Sequence, residues 1–269
     1  VAICGPFGNR HLLAPRHQTW AGTTITDVLG QSGKRIHGPT VGWATGMSPK
    51  STAATKSARP APPLTLLLLV RHGQTPTTGK LLPGRAPGLH LAEQGREQAR
   101  VVASRIAELS RVDAVYASPL ERTRETAAPI GKALGLGVKA DRGLLEADFG
   151  EWTGRELSAL MKLPEWSTVQ RAPSTFRFPG GESFLEMQSR MVGALDRLRS
   201  LHPGGVVVAV SHADPIKAAV AHAMGTHLDL FQRIVISPCS VTAIAYHSGG
   251  PVVLTVNSTG GSLAELRPS

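Results

Sequence analysis

Apolar residues along the chain follow two different periods, which predict an alternation of strands and helices. An uninterrupted apolar run at residues 64–70 is bounded by turn-forming residues, which is typical of a strand buried in a parallel sheet. Apolar positions with helical spacing follow at residues 93–109. The two patterns then recur along the chain. Further strands are predicted at residues 114–117, 138–140, 206–210, 233–236, 241–246 and 252–256, and further helices at 120–134, 156–161, 182–201 and 215–224.

This order of elements predicts an α/β fold. Strands that alternate with helices form a mostly parallel sheet with helices on both faces, which is a three-layer α/β/α sandwich. We expect this domain to span residues 64–258 and to be followed by a flexible tail at residues 259–269. Because aromatic residues make up only 4% of the chain, the core is expected to be mainly aliphatic.

The first 63 residues differ from the rest of the chain. They show neither period and are rich in Gly, Thr, Ser, Pro and Ala, so we expect residues 1–63 to be disordered, because they cannot bury enough apolar area to offset their ordering entropy. Their Arg-containing, acid-poor composition is also typical of an organelle transit peptide, although a clear amphipathic helix is missing. Because the chain begins with Val, we also hypothesise that translation starts at Met47, which mass spectrometry of the native protein would test.

Charge and cysteine content narrow the functional classes. Residues 1–63 carry +6 of the formal net charge of +10, so the predicted domain is only mildly basic and nucleic-acid binding is not expected. The two cysteines, Cys4 and Cys239, form neither a disulfide framework nor a metal-binding pattern, which favours a reducing, cytoplasmic location. No apolar run approaches the ~20 residues that span a bilayer, so no membrane association is expected.

The first predicted strand runs directly into an Arg-His-Gly tripeptide, Arg71 to Gly73. In open α/β sheets, ligands bind just beyond the carboxyl ends of the strands. His72 is therefore a candidate nucleophile, and the planar guanidinium of Arg71 suits a phosphate or a carboxylate. The alternative is an ordinary strand end followed by a turn, and a single tripeptide does not decide between the two.

Three further motifs favour the functional interpretation. The second strand is followed by Ser-Pro-Leu-Glu-Arg, which ends at Arg122, and a loop carries Glu-Ala-Asp-Phe-Gly, which begins at Glu146. A later strand ends in Val-Ser-His, which places His212 at its carboxyl end. Taken singly, Arg122 and Glu146 are explained as solvated surface charges and His212 as a helix cap. Together the four motifs resemble the histidine phosphatase superfamily, also called phosphoglycerate mutase-like, over about residues 64–256. Within it, the chain resembles the short actinobacterial-type phosphatases and phosphomutase-like proteins.

The resemblance implies a phosphoglycerate mutase-like fold and phosphoryl transfer through a phosphohistidine. In such enzymes the histidine of Arg-His-Gly, here His72, is phosphorylated. The residues matching Arg71 and Arg122 neutralise the phosphate, and the residue matching His212 contacts its equatorial oxygens. The residue matching Glu146 protonates the leaving oxygen and then acts as a base toward water.

Other positions carry weaker predictions. Gln74, Thr78 and Ala213 are candidate substrate-binding residues beside the main motifs. The Pro-Gly-Gly-Glu-Ser run at residues 179–183 is interpreted as a turn and helix start rather than a phosphate loop. No HExxH, CxxC or Asp-rich cluster is present, so neither a metal nor another cofactor is expected. The loop after the tripeptide departs from the family, because Thr78 stands where relatives often carry Asn, and this leaves the substrate open.

We therefore expect a cytoplasmic, metal-independent phosphomonoester hydrolase that acts on a small phosphorylated metabolite as a monomer or homodimer. The first alternative is a phosphoglycerate mutase-type phosphomutase. Only 35 positions separate Glu146 from Gly181, which is short for a lid that would shield a mutase phosphoenzyme from water. The second alternative is a non-catalytic phosphate-binding module, which the loss of a motif residue would favour, and none is lost. The third is nucleic-acid binding through residues 1–63, which would be strongly salt-dependent.

Overall fold

The structure is a computed structural model that describes residues 64–264 and residue 266. The expectations for residues 1–63, including disorder and a translation start at Met47, lie outside the described residues. Residues 265 and 267–269 of the expected tail also lie outside them. None of the helices in the described residues combines the length and apolar character needed to cross a lipid bilayer.

Six strands form one sheet. They are β1 (Thr65–Arg71), β2 (Ala114–Ala117), β3 (Val138–Ala140), β4 (Val206–Ser211), β5 (Val241–His247) and β6 (Gly250–Ser258), and their spatial order is β3-β2-β4-β1-β5-β6. The first four strands in this order are parallel, whereas β5 is antiparallel to β1 and β6 is antiparallel to β5. The predicted mostly parallel sheet is therefore confirmed.

Helices cover both faces of the sheet. They are α1 (Glu93–Ala107), α2 (Glu121–Leu134), α3 (Leu157–Leu160), α4 (Trp166–Arg171), α5 (Phe184–Leu201) and α6 (Ala213–Ala223). Alternate residues of β1 point to opposite faces of the sheet. Leu66 and Leu68 belong to the apolar cluster that contains α1 and α2 residues, while Leu67 and Leu69 belong to the cluster that contains α5 and α6 residues. The three-layer α/β/α sandwich is confirmed.

Two local predictions differ from the structure. The strand predicted at residues 233–236 is wrong, because a 3-10 helix spans Leu228–Arg233 and the residues that follow it pair with no strand. The apolar side chain of Ile236 is buried in a core cluster, and its carbonyl accepts a hydrogen bond from an arginine side chain rather than from a strand. The short helix Trp166–Arg171 was not predicted. In both segments, residues 166–171 and 233–236, tertiary packing buries apolar side chains that do not follow the regular sequence period of a helix or a strand.

The Pro-Gly-Gly-Glu-Ser run does form a turn and a helix start, as predicted. Ser183 is the N-cap of α5, and its hydroxyl accepts a hydrogen bond from the Glu186 amide at 3.2 Å. The Glu186 carboxylate in turn accepts from the Ser183 amide at 2.9 Å. This reciprocal pair is a capping box, so α5 begins two residues later than the apolar pattern indicated.

The Phe and Trp side chains of the described residues form a separate cluster beside the sheet core. Phe178 lies at its centre, and its ring centroid is 4.8–5.5 Å from those of four neighbouring aromatic rings. The cluster joins residues of the segment 147–178 to α5 and α6. The expected mainly aliphatic core is therefore found around the sheet, where Tyr116 and Tyr246 are the aromatic members, while the Phe and Trp side chains pack this segment against α5 and α6.

The central position of Phe178 gives a stability prediction. Phe178 is only 2% exposed, so Phe178→Ala should lower the free energy of unfolding by about 3–5 kcal/mol through lost burial and a residual cavity. Leu185→Ala is the control, because Leu185 is 52% exposed on α5 and should change stability by no more than about 0.5 kcal/mol. Urea unfolding would measure both, and equal losses would contradict the account of the cluster.

Candidate active site

A cavity of about 220 Å³ opens at the carboxyl ends of β1 and β4. Its described lining comes from the end of β1, the loop after it, the loop that carries Glu146, the start of α6 and residues 235–238. The lining residues are Arg71, His72, Thr75, Thr78, Gly79, Leu81, Leu82, Pro83, Glu146, Phe149, Leu157, Ala213, Asp214, Val235, Ile236, Ser237 and Pro238. This is the position at which the fold class places ligand sites.

His72 is buried at the end of β1 with one ring nitrogen engaged. Its Nδ1 lies 2.8 Å from the Gly73 carbonyl oxygen. Because a carbonyl can only accept, Nδ1 carries the proton and the lone pair lies on Nε2. Burial, followed by the charges of Arg122 and Arg71, lowers the pKa of His72 well below its usual value. The ring is therefore neutral at pH 7 and has a nucleophilic nitrogen.

The glycine of the Arg-His-Gly motif is required by close packing. A Cβ on Gly73 would lie 2.5 Å from the Gly95 carbonyl oxygen on α1. The absence of a side chain at Gly73 lets α1 pack directly against the backbone that orients the imidazole, which explains why the tripeptide ends in Gly.

Arg122 is buried and Arg71 is half-buried, and both have guanidinium nitrogens that lack a partner among the described residues. Arg122 Nη2 donates to the Gly84 carbonyl oxygen at 2.8 Å, and Arg71 Nη1 donates to the Ile236 carbonyl oxygen at 2.6 Å. Among the described residues, Arg71 Nε and the Nε and Nη1 atoms of Arg122 have no hydrogen-bond partner. Buried unpaired donors are costly, and a phosphate offers the oxygens that would satisfy them.

His212 follows β4 and lies beside His72, with ring centroids 5.2 Å apart. Arg122 Nη2 lies 3.2 Å from His212 Nδ1, and His212 Nε2 lies 2.9 Å from Ser118 Oγ. Because a guanidinium can only donate, Nδ1 accepts and Nε2 carries the proton. Burial, followed by Arg122 and His72, lowers the pKa of His212 well below its usual value. A bound phosphate would raise that pKa again through its negative charge.

Glu146 is a buried carboxyl group with an unusual protonation equilibrium. Burial and the neighbouring Asp214 raise the pKa of Glu146 to about 7, against the opposing effect of Arg122. Its Oε1 accepts a hydrogen bond from the Ala147 amide at 3.0 Å, and its Oε2 lies 4.0 Å from His212 Nδ1. A carboxyl group with this pKa can both donate and accept a proton near neutral pH.

The ordinary explanations of these residues do not fit the structure. Arg122 and Glu146 are buried rather than solvated surface charges. His212 occupies the N-cap position of α6, but its side chain does not cap the helix. The structure therefore brings together all five residues of the four motifs.

The weaker candidates are distributed differently. Ala213 and Thr78 line the cavity, and Thr78 Oγ1 accepts a hydrogen bond from the Thr75 amide at 2.9 Å. Gln74 is not among the lining residues, and its backbone N–H donates to Gln98 Oε1 at 2.9 Å. Contact of any of these three residues with a substrate stays a prediction.

An ion-pair network that the sequence did not indicate holds the backbone of Glu146. Arg85 Nε and Arg190 Nη2 both donate to the Glu146 carbonyl oxygen, at 2.8 and 3.3 Å. Both guanidinium groups also donate to the Glu182 carboxylate at 2.9 Å. Glu182 belongs to the Pro-Gly-Gly-Glu-Ser run. The sequence feature that could have pointed to this network is Arg190, a charged residue that lies three positions after the buried Met187 on α5. We call Arg85, Glu182 and Arg190 the carboxyl clamp.

Ser118 and Asp214 were also not assigned a role from the sequence, although each lies inside a motif. Ser118 contacts His212 Nε2, and Asp214 lines the cavity. In the part of the chain that the structure describes, no cluster of three or more His, Cys, Asp or Glu side chains is placed to hold a metal ion.

Comparisons with known proteins identify a family and several relatives for this chain. The model of the histidine phosphatase superfamily, branch 1, matches residues 67–259. Phosphoserine phosphatase 1 of Hydrogenobacter thermophilus is 34% identical over 200 residues, which cover 72% of this chain and 92% of that protein. A probable phosphoglycerate mutase of Erwinia tasmaniensis is 32% identical over 203 residues, which cover 74% and 93%. The solved structure of a mycobacterial glucosyl-3-phosphoglycerate phosphatase has a TM-score of 0.66 and 25% identity, and the match covers 72% of this chain and 99% of that one.

The raised pKa of Glu146 predicts a pH-dependent stability. A carboxyl group whose pKa rises on folding from 4.5 to about 7 destabilises the folded state as pH increases through this window. Glu146→Gln should therefore match the wild type near pH 4.5 and exceed its free energy of unfolding by about 3 kcal/mol above pH 7.

Urea unfolding between pH 4.5 and pH 8 would measure this difference. Glu151→Gln is the matched control, because Glu151 is exposed, and its stability should follow the wild type across the same range. A Glu146→Gln profile parallel to that of the wild type would show that Glu146 titrates normally and contradict the account.

Proposed function

Because the chain belongs to the histidine phosphatase superfamily, branch 1, we propose that it hydrolyses phosphate monoesters through a phosphohistidine at His72. The observation that carries the proposal is a neutral imidazole beside two motif arginines, of which Arg71 Nε and Arg122 Nε and Nη1 are buried without a partner among the described residues. This arrangement supplies a nucleophile and the charge that neutralises a phosphate at the same place.

In the first step, Nε2 of His72 attacks phosphorus in line with the ester oxygen. The N–P bond forms as the P–O ester bond breaks, and protonated Glu146 gives its proton to the leaving oxygen. Arg71 and Arg122 donate to the phosphoryl oxygens, on which negative charge is spread in the transition state. Bound phosphate favours protonation of His212, which then donates to an equatorial oxygen.

In the second step, water attacks the phosphohistidine. The Glu146 carboxylate takes a proton from this water, the N–P bond breaks, and inorganic phosphate leaves with His72 neutral again. One carboxyl group serves as acid and then as base, for which a pKa of about 7 for Glu146 is suitable.

We further propose that the reaction needs no metal, since two arginine side chains supply the neutralising charge. A small phosphorylated metabolite is the proposed substrate, in keeping with a cavity of about 220 Å³. A cytoplasmic location is also proposed, and it is supported by the free, buried thiol of Cys239. A monomeric or homodimeric state without nucleic-acid or membrane partners stays a prediction from the sequence.

A phosphomutase is the less favoured alternative. The segment between Glu146 and Gly181 contains the short α-helices Leu157–Leu160 and Trp166–Arg171 and two single-turn 3-10 helices, and its apolar residues pack into the aromatic cluster. A mutase must keep water from its phosphoenzyme until the acceptor is in place. So short a segment favours hydrolysis.

The proposal predicts that His72→Ala abolishes phosphate release. In EDTA-containing buffer, over a panel of phosphate monoesters, the variant should lose at least about a thousandfold in kcat/KM, because no other group can form the intermediate. When the wild type is mixed with a ³²P-labelled ester and rapidly quenched without acid, radioactive phosphate should stay bound to the protein and be released by later acid treatment.

His222→Ala is the matched control, because His222 lies exposed at the end of α6, and it should retain wild-type turnover. Turnover that survives His72→Ala would contradict the proposal. Phosphate transfer from a bisphosphorylated donor without phosphate release would instead favour the phosphomutase.

The carboxyl clamp gives a second kinetic prediction. Glu182→Gln removes a negative charge beside Arg85 and Arg190, so it should loosen the Glu146 backbone and lower the pKa of its carboxyl group. We expect kcat to fall about tenfold with a smaller change in KM, and the alkaline limb of the pH–kcat profile to move to lower pH.

Glu186→Gln in the first turn of α5 is the control, because Gln also serves in a capping box and Glu186 does not contact the clamp arginines. Its pH profile should match that of the wild type. A lower kcat in Glu182→Gln with an unmoved pH profile would indicate a purely structural role for Glu182.

A further inference from the structure

A β-bulge interrupts the pairing of β5 with β6 close to the end of β6. Val241 pairs with Ser258. Two positions further along β5, Ala243 pairs with Thr255, which lies three positions back on β6, so one residue of β5 faces two of β6. One of these two, Asn257, has a φ angle of 59°, which asparagine tolerates better than most residues with a side chain. Bulges redirect a side chain away from the regular alternation of a strand.

The redirected carboxamide of Asn257 binds the peptide group that joins Ile236 to Ser237. Asn257 Oδ1 accepts a hydrogen bond from the Ser237 N–H at 2.6 Å. The carbonyl oxygen of the same peptide group, on Ile236, accepts the hydrogen bond from Arg71 Nη1 at 2.6 Å. Because a peptide group is planar, holding its N–H also sets the direction of its C=O. Two hydrogen bonds through one peptide group therefore connect the carboxamide to the guanidinium.

The main chain of Arg71 is attached to the same segment, residues 236–240. The Cys239 N–H donates to the Arg71 carbonyl oxygen at 3.0 Å, and the Arg71 N–H donates to the Ser240 carbonyl oxygen at 3.3 Å. The backbone and the side chain of Arg71 thus both depend on where this segment lies. Asn257 holds the segment from β6.

The hydrogen bond at Nη1 determines where the other donors of Arg71 point, because a guanidinium group is planar and rigid. Arg71 Nε is buried without a partner among the described residues, and Arg71 lines the cavity together with His72. Misplacing a group that positions a substrate by about 1 Å can cost about a hundredfold in rate. The acceptor that fixes Nη1 therefore matters for the Nε donor that faces a phosphate.

We propose that Asn257 is a positioning residue of the phosphate site, because its carboxamide orients the 236–237 peptide group and, through it, the Arg71 guanidinium. This inference rests on the proposed function, since it assumes that Arg71 binds phosphoryl oxygens. Asn257 is not among the described lining residues of the cavity, so it acts through Arg71 rather than by touching the substrate.

Two substitutions at Asn257 separate the acceptor from the backbone conformation. Asn257→Gly removes Oδ1 and keeps the backbone, because glycine adopts positive φ angles without strain. We expect kcat/KM for phosphate monoesters and the affinity for orthovanadate each to fall at least about tenfold. Asn257→Asp keeps an acceptor oxygen and tolerates the same φ angle, so both quantities should stay within about threefold of the wild type. Equal losses in the two variants, or no loss in Asn257→Gly, would contradict the inference.

A double-mutant cycle distinguishes positioning from a general loosening of the fold. In an Arg71→Ala background the guanidinium is absent, so adding Asn257→Gly should lower kcat/KM by less than about twofold. The same loss in both backgrounds would mean that Asn257 acts independently of Arg71 and would overturn the proposal.

Asp113→Gly is the matched control for the loss of one side-chain acceptor. Asp113 Oδ2 accepts a hydrogen bond from the Val206 N–H at 2.7 Å, at the amino end of β4 and therefore at the opposite edge of the sheet from the cavity. Asp113→Gly should lower the stability in urea and leave kcat/KM within about twofold of the wild type. A loss of activity as large as that of Asn257→Gly would show that kcat/KM follows stability alone and would contradict the proposal.

Hydrogen exchange of the wild type gives a measurement that needs no variant. Coupling along a chain of hydrogen bonds is reciprocal, so orthovanadate bound at Arg71 should strengthen the bond from the Ser237 N–H to Asn257. We expect exchange of this amide to slow by at least about threefold when orthovanadate is bound. An unchanged exchange rate would contradict coupling through the peptide group.

These outcomes separate the positioning role from the reaction. Turnover that depends on His72 but does not change in Asn257→Gly overturns the positioning role and leaves the phosphatase intact. A loss of orthovanadate affinity in Asn257→Gly, in a protein whose wild type releases no phosphate, supports the positioning role and overturns the phosphatase. If the full-length wild type does not bind orthovanadate at millimolar concentration, both proposals fail.

Discussion

Two guanidinium groups, those of Arg71 and Arg122, converge on the cavity with buried N–H donors that outnumber the neighbouring acceptors. Arg122 is fully enclosed, and in each motif arginine one guanidinium nitrogen donates a hydrogen bond to a backbone carbonyl oxygen. Their remaining buried donors are unmatched among the described residues. Such an arrangement costs stability and is explained by a ligand rich in acceptor oxygens. Burial, followed by these charges, lowers the pKa of both histidines, and Arg122 opposes the larger effect of burial on the pKa of Glu146.

The parallel register of the central strands brings the two imidazoles together. Arg71 at the end of β1 pairs with Ser211 at the end of β4, so the next residue of each strand is a histidine. The His72 amide donates to the Ser211 carbonyl oxygen at 2.9 Å, which continues the ladder by one step. The nucleophile and its partner are thus placed by the sheet itself, whereas Glu146 lies on a loop and depends on the carboxyl clamp for its position.

Much of this arrangement could be predicted from the sequence, because strand ends and short motifs are local features. Three of the four parallel strands are apolar runs that lead into a polar motif, whereas Glu146 lies on a loop and was predicted through the family resemblance. The carboxyl clamp could not be predicted in this way, because Arg85 and Glu182 are 97 positions apart. Residues 233–236 have a strand-like composition, yet they do not pair with the sheet. The Ile236 side chain packs in the core, and its carbonyl oxygen accepts a hydrogen bond from Arg71. The lining of the cavity likewise could not be predicted, because it combines the loop after β1, the loop that carries Glu146 and residues 235–238, which only the fold brings together.

A structure determined with orthovanadate is the sharpest test of in-line attack by His72, because vanadate adopts the trigonal-bipyramidal shape of the phosphoryl-transfer transition state. We expect a bond from vanadium to Nε2 of His72, with Arg71 Nε and Arg122 Nη1 within hydrogen-bonding distance of its equatorial oxygens. Glu146 should face the apical oxygen opposite His72. Vanadate bound elsewhere, or coordinated by His212 with the Arg71 and Arg122 donors still unpaired, would contradict it.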